Sequence, residues 1–443
     1  MKIKSYSYHR GIKNLSPKIT SLAEFNELTL AEPDRVFIPI KQIKGASPSV
    51  VVTKGERVKK GTRVAVSGDK VILSSVSGVV EDVILASSVY GGQTEVVVIK
   101  NNHKEEQELF KKFNLNSDDN NMLMLPLKRF SIVDYDGVEL ASKIEALNPE
   151  AEKTLIINMI SDEPYQLNTP FLIARKSEEI TKGALLLATM IQASKIVVAI
   201  KRGDDKLYQD FLTSLEHTCS SLDFSVAIFP DVYPLGDEIT LSGVISKKQM
   251  ETVADVREAG ILAVDCFSLY ALKKLVLDGE VVVEKPLTLI TVHEEEVSSK
   301  IVWVRVGSTI RDVLNAIDET ELNGTKKLVA GGLMRGIALA DENASITFNL
   351  KSLVVVKNSA HDAKRELQCI TCGRCSKLCP VGIVPYEIDE HAINGDYNEA
   401  VKCGAEKCNR CGVCSYVCPS KRYLTQRIYY VKEIINNKGL RNE

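Results

Sequence analysis

Apolar residues in the first hundred positions come in short runs, among them Val36-Phe37-Ile38, Val50-Val51-Val52, Val64-Ala65-Val66, Val71-Ile72-Leu73 and Val96-Val97-Val98-Ile99. Glycines at 45, 55, 61, 68, 78, 91 and 92 punctuate them. Runs this short, broken by turn residues, predict a small all-β domain over 1–100. The charged, Asn/Asp-rich stretch Asn101 to Asn121 reads as a connection. From 122 to 280 the pattern changes. Strand-like runs at Thr154 to Ile157, Lys195 to Ile200, Phe224 to Phe229 and Gly260 to Val264 alternate with helix-length stretches, Ser177 to Ala193 and Leu207 to Leu222. That alternation predicts an α/β domain with a mostly parallel sheet.

Residues 281–357 return to strand signals (Val281 to Val283, Leu287 to Val292, Ile301 to Val306, Ile346 to Phe348) around one helical stretch, Thr309 to Ile317. A small α+β unit fits. From 361 to 425 the chain is polar, cysteine-rich and helix-prone, and 426–443 reads as a helical tail. At 443 residues, with 44% hydrophobic and 26% charged residues, the chain is ordinary globular protein of several domains. Its net charge of −2 gives none of the positive field that a nucleic-acid binder needs. No apolar run approaches the roughly 20 residues of a membrane-spanning helix. The polar start, MKIKSYSYHRG, has no signal-peptide core, so a cytoplasmic location is expected.

Nine of the eleven cysteines lie between Cys369 and Cys418. They spell Cys369-x-x-Cys372-x-x-Cys375-x-x-x-Cys379-Pro380, then Cys408-x-x-Cys411-x-x-Cys414-x-x-x-Cys418-Pro419. In this spacing three cysteines wrap one cubane and the distant fourth points toward the other, with Pro380 and Pro419 redirecting the chain after it. The expectation is two 4Fe-4S clusters, one on Cys369, Cys372, Cys375 and Cys418, the other on Cys408, Cys411, Cys414 and Cys379. Zinc is the alternative, but it asks only for simple CxxC pairs and explains neither the doubling nor the prolines. Gly373 and Gly412 follow the second cysteine of each motif and allow a tight wrap. The gap of 28 residues between the motifs leaves room for a helix over Tyr386 to Ile393, so a helical dicluster domain is expected. Cys403, Cys219 and Cys266 stand outside any motif and read as buried structural thiols. Gly55, Val58 and Gly61 followed by Asp69-Lys70 suggest a swinging-arm scaffold, but the hairpin is too short to present a modified lysine, and Lys70 reads as a surface residue.

With the doubled motif in place, the whole chain resembles the RnfC family, a component of the Rnf electron-transport complex. The matching pieces include Val36-Phe37-Ile38-Pro39, Lys54 to Gly61, Ser77 to Val80, Leu155 to Asn158, Glu163-Pro164-Tyr165, Tyr233-Pro234-x-Gly236, Leu277 to Glu280, Val302 to Gly307, Gly331 to Met334 and Cys414 to Ser420. The resemblance implies a barrel-sandwich β domain, an α/β domain like the flavin subunit of respiratory complex I, a β-grasp (SLBB) domain and a helical dicluster ferredoxin domain. It also implies FMN and NADH held by a glycine-rich phosphate loop, with Glu163 and Tyr165 as flavin-side residues. At the equivalent stretch this chain reads Ile132-Val133-Asp134-Tyr135-Asp136-Gly137-Val138-Glu139-Leu140, with one glycine and three carboxylates. Carboxylates repel a phosphate, so FMN and NADH binding in that mode is not expected. The eroded loop points to a stand-alone relative of the type associated with D-proline reductase, relaying electrons between a redox donor and a terminal reductase. The alternatives are an NADH-oxidising FMN and iron-sulfur subunit docked on a membrane complex, and a docking scaffold.

Overall fold

The computed structural model describes residues 2–438 apart from 14, 15, 17, 18, 20, 24, 115–119, 162, 295, 318–323, 326 and 358–364. Asp162 of the 158–165 motif, part of the 101–121 connection, the 361 boundary and the last five residues of the tail therefore lie outside the described residues.

Strands that are apolar on both faces must be covered on both, and this dictates the central domain. A parallel sheet runs in the order Lys2–Ser5, Asp223–Phe229, Lys195–Lys201, Thr154–Asn158, Ile261–Asp265. Ile156, Ile157, Val197 and Val198 at its centre are essentially inaccessible. The helix Asn168–Met190 covers one face, packed against Cys266–Lys273. It kinks at Lys176, so the expected helix from Ser177 is its second part. Pro170 is tolerated in the first turn, where its missing N–H costs nothing, and this extends the helix upstream.

The barrel-like domain pairs Arg35–Pro39, Gln93–Asn101, Gly78–Ser87 and Arg57–Val58 in one sheet, and Ser49–Val50, Arg63–Ser67 and Lys70–Leu73 in another. Val36, Ile38, Val64, Val97 and Ile99 fill the space between them. Lys70 is half-buried, not fully exposed, because it closes the hairpin opposite Ser67. Residues 2–28 depart from the expected 1–100 unit. Lys2–Ser5 extends the central sheet, Ile12–Lys13 pairs with Val232–Tyr233, and Glu27–Leu28 joins the third sheet.

That third sheet runs Ile337–Ala338, Lys327–Ala330, Ser352–Val356, Glu284–His293, Glu296–Arg305, Glu27–Leu28, beside the helix Ile310–Asn315. The expected strand at Ile346 to Phe348 does not form. The buried amino group of Lys285 takes the carbonyls of Thr347, Phe348 and Leu350, which removes them from any ladder. Val281 to Val283 is likewise outside the strand that begins at Glu284.

The cysteine-rich unit is helical: Arg374–Lys377, Pro385–Asn394, Tyr397–Lys402, Val413–Val417 and Leu424–Lys438. The last helix is no separate tail, because Ile428, Val431 and Ile435 bury against Ile388, Ala400, Val401, Cys379 and Cys408. Among the described residues no helix is long and apolar enough to cross a membrane.

Gly183 marks the tightest contact of the central domain, since a Cβ there would lie 2.0 Å from the carbonyl oxygen of Leu269. Gly183→Ala should therefore destabilise the chain by about 3 kcal/mol through overpacking. A lowered denaturant midpoint with an unchanged slope checks this.

Candidate metal centre and adjoining cavity

The two cysteine loops have the same backbone. In each, the residue before the second cysteine is left-handed (Thr371 φ +50°, Arg410 φ +61°), and so is the glycine after it (Gly373 φ +69°, Gly412 φ +81°). In each, an amide two residues past the first cysteine points at its sulfur: Thr371 N to Cys369 Sγ and Arg410 N to Cys408 Sγ, both 3.4 Å. Thr425 Oγ1 lies 3.3 Å from Cys414 Sγ. Amides and hydroxyls aimed at sulfur are the protein's means of tuning a cluster.

Cys369, Cys372, Cys375 and Cys418 line one small cavity. Cys379, Cys408, Cys411 and Cys414 are all buried, and their thiols lie within electrostatic reach of one another. Burial pushes Cys411 and Cys414 up to about 12, so these thiols become thiolates only where a cationic centre draws the proton off. Each quartet thus joins three cysteines of one motif to the fourth of the other. Cys375 and Cys414, one from each quartet, pack around Leu424. The residues present fit clusters held by four thiolates. Cys219 and Cys266 are buried outside both quartets, with the Cys219 thiol raised to about 11 by burial, whereas Cys403 is only half-buried.

Three contacts fix the surroundings of the inner quartet to the rest of the molecule. Gly11 N donates to Leu378 O at 2.9 Å, Tyr233 Oη donates to Cys411 O at 2.6 Å, and Gly412 lies so close to Met334 O that a Cβ would approach it to 2.5 Å. Glu163 sits at the same junction. Its carboxylate accepts from Met334 N at 2.9 Å, lies 3.4 Å from Tyr233 Oη, and a Cβ on Gly332 would collide with it. Glu163 therefore joins the central domain, the 331–336 turn and the second loop. Tyr165, with φ +65°, lines a different, smaller cavity with Ser16, Lys201 and Tyr208. Neither residue lines the main cavity. Tyr233 and Met334 lie in segments that carry the family resemblance, but nothing local in the sequence gives their role beside the cysteine loop or marks Arg410, because their partners are remote in the chain.

The main cavity, about 850 Å³, lies beyond the carboxyl ends of the parallel strands and is closed on one side by Cys408 and Asn409. The loop expected to cradle a phosphate forms part of its wall. Here the amides of Asp136 and Val138 both donate to Asp134 Oδ1, at 2.9 Å each. The same carboxylate contacts Lys143 Nζ, which reaches Glu238 at 3.3 Å, and Glu238 pairs with Arg257 at 2.8 Å. The chain's own carboxylate holds the amides and the ammonium that a phosphate would need. The loop does not fit the phosphate end of FMN.

Comparison with known proteins places these units in a family. Residues 6–104 match the RnfC barrel sandwich hybrid domain, 127–274 the Nuo51 FMN-binding domain and 368–421 the 4Fe-4S dicluster domain. This order defines a multidomain iron-sulfur redox protein. In these domains and in its relatives the chain is RnfC-like. It is 27% identical over 376 residues to a subunit of the proton-translocating ferredoxin:NAD(+) oxidoreductase complex of Clostridium ljungdahlii, covering 83% of this chain and 80% of that one. It is 24% identical to a subunit of the ion-translocating oxidoreductase complex of Buchnera aphidicola, and 25% identical to the corresponding subunit of Haemophilus influenzae. Those matches take in 65% and 82% of this chain but only 60% and 55% of the relatives' lengths. Among solved structures, an NAD+-reducing NiFe-hydrogenase in its H2-reduced state aligns with a TM-score of 0.49 and 14% identity, over 73% of this chain and 62% of that one. The relatives are subunits of ion-translocating complexes, so the expected association with D-proline reductase gains no support from them.

Lys143 is the cation on which the cavity wall rests. Burial works against its charge, but Asp134, Glu238 and Asp136 hold it protonated, while burial pulls the Asp134 carboxyl from 3.8 up to about 6. The folded chain thus binds the Asp134 proton more readily than the unfolded chain, and stability falls as pH rises from about 4 through 6. Lys143→Met should cost about 3–5 kcal/mol at pH 7, where two carboxylates lose their cation, and distinctly less at pH 5, where Asp134 takes up a proton. Denaturation of both proteins at the two pH values measures this.

Proposed function

We propose that this chain is a peripheral iron-sulfur electron-transfer subunit of an Rnf-type oxidoreductase complex. One observation carries the reading: the two cysteine loops share left-handed residues at matching positions, and Cys418 of the second motif lines one cavity with Cys369, Cys372 and Cys375 of the first. The exposed quartet is Cys369, Cys372, Cys375 and Cys418, and the buried one is Cys379, Cys408, Cys411 and Cys414. Bound there, 4Fe-4S clusters supply one-electron redox steps. The chain's own residues fix where such steps start and end. Cys408 faces the main cavity and Cys372 faces solvent, so the quartets span from an interior chamber to the surface. Burial excludes water from the inner quartet, and the amides of Arg410 and Thr371 supply matched hydrogen bonds to one sulfur in each. We infer that the sheet from Glu284 to Val356 is the β-grasp unit, acting through its 331–336 turn as a brace for the inner loop. The partners are a redox donor and the membrane-bound remainder of the complex.

A second reading, an NADH-oxidising flavin subunit, is favoured by the match of 127–274 to an FMN-binding domain. It requires a phosphate where Asp134 already holds the amides. The proposal is a chain without phosphate-anchored FMN that does not oxidise NADH alone.

Anaerobically purified protein should contain about eight iron and eight sulfide per chain and give two spins on full reduction. Acid denaturation should release no stoichiometric flavin. Zinc in place of iron, or fewer than two reducible centres, sinks the relay. One FMN per chain overturns the flavin-free reading and restores the second.

A further inference from the structure

The exposed quartet sits in a surface unlike the rest of the molecule. Cys372 is exposed and Cys369 half-buried, whereas all four cysteines of the inner quartet are buried. On the two segments that carry Cys372 and Cys418, Leu367, Ile370 and Tyr423 are 59%, 64% and 44% exposed. The amide of Leu367 donates to Ser420 O at 2.9 Å, which holds the two segments side by side as one face. Apolar side chains exposed together beside a redox ligand mark a contact surface.

The charge around them is one-sided. Residues 365–377 and 415–423 contain five basic residues and one acidic residue, in a chain whose net charge is −2. The acidic one, Glu366, is held by a bidentate pair with Arg427, and Arg422 turns inward to Asp389 at 2.6 Å. Arg365, Arg374, Lys377 and Lys421 remain as an exposed basic rim.

We propose that this face is the docking surface for an acidic redox protein, and that electrons enter or leave the chain through the quartet beneath it. This rests on the iron-sulfur reading above. The step is outer-sphere: one electron leaves the reduced partner and reduces the oxidised centre, no bond forms and no proton moves. The apolar centre excludes water over Cys372, and the basic rim steers an acidic partner into a small, short-lived contact suited to turnover.

The test is stopped-flow reduction of the full chain by a reduced acidic bacterial ferredoxin, with methyl viologen as a small donor that needs no docking. The ferredoxin rate should fall about tenfold or more between low and high salt. Arg374→Glu with Lys377→Glu should lower it about tenfold at low salt while iron content and the methyl viologen rate do not fall. Ile370→Glu, at an exposed position, should do the same and serves if the double variant does not fold. A ferredoxin rate insensitive to salt and unchanged by these variants overturns the docking face alone. A chain that methyl viologen cannot reduce overturns the iron-sulfur reading and this inference with it.

Discussion

On the proposed assignment each cysteine motif holds only three of the ligands its centre needs, and the fourth comes from the other motif, just before its proline. Neither quartet can form unless both halves of the cysteine-rich unit are folded together. The helices between and after the motifs answer this requirement. Ile388, Ala400, Val401, Ile428, Val431 and Ile435 make a core that also contains Cys379 and Cys408, so the packing that stabilises the unit also sets the ligands in place. The final helix belongs to this core. Thr425, near its start, approaches the sulfur of Cys414.

The same constraint explains why the inner quartet is braced from outside. A buried centre beside a cavity needs ligands that do not breathe, and the contacts that still their two loops come from three remote segments: Gly11 on the first, Tyr233 and the 331–336 turn on the second. Glu163 closes this arrangement. A buried carboxylate is costly unless it is partnered, and Glu163 accepts from Met334 N with the Arg335 guanidinium 4.0 Å away. The acidic residue that the family resemblance places beside a flavin thus works here as a joint between domains.

The cysteine motifs stand out in the sequence because metal chemistry constrains spacing directly, and cysteines repeated with two residues between them carry the same expectation in any fold. The alternating runs of 154–264 were legible for the same kind of reason, since a parallel sheet buried on both faces admits little else. What could not be read depended on partners far away in the chain. Lys2–Ser5 is polar and looks like a loose end, yet it finds the exposed edge beside Asp223–Phe229. Ile346 to Phe348 has a strand's composition, but the amino group of Lys285 claims the carbonyls of Thr347 and Phe348. The carboxylates of 134–139 were visible as an obstacle to phosphate. That Asp134 takes up the loop amides itself is a matter of geometry, which composition does not contain.

The exchange of fourth ligands is the claim on which the architecture stands, and EPR of single cysteine variants tests it most directly. Cys379→Ser, although it lies in the first motif, should alter the signal that Cys411→Ser alters and leave the signal of the exposed quartet intact. If Cys379→Ser instead perturbs the signal that Cys372→Ser perturbs, each motif holds its own cluster and the fourth ligands are not exchanged.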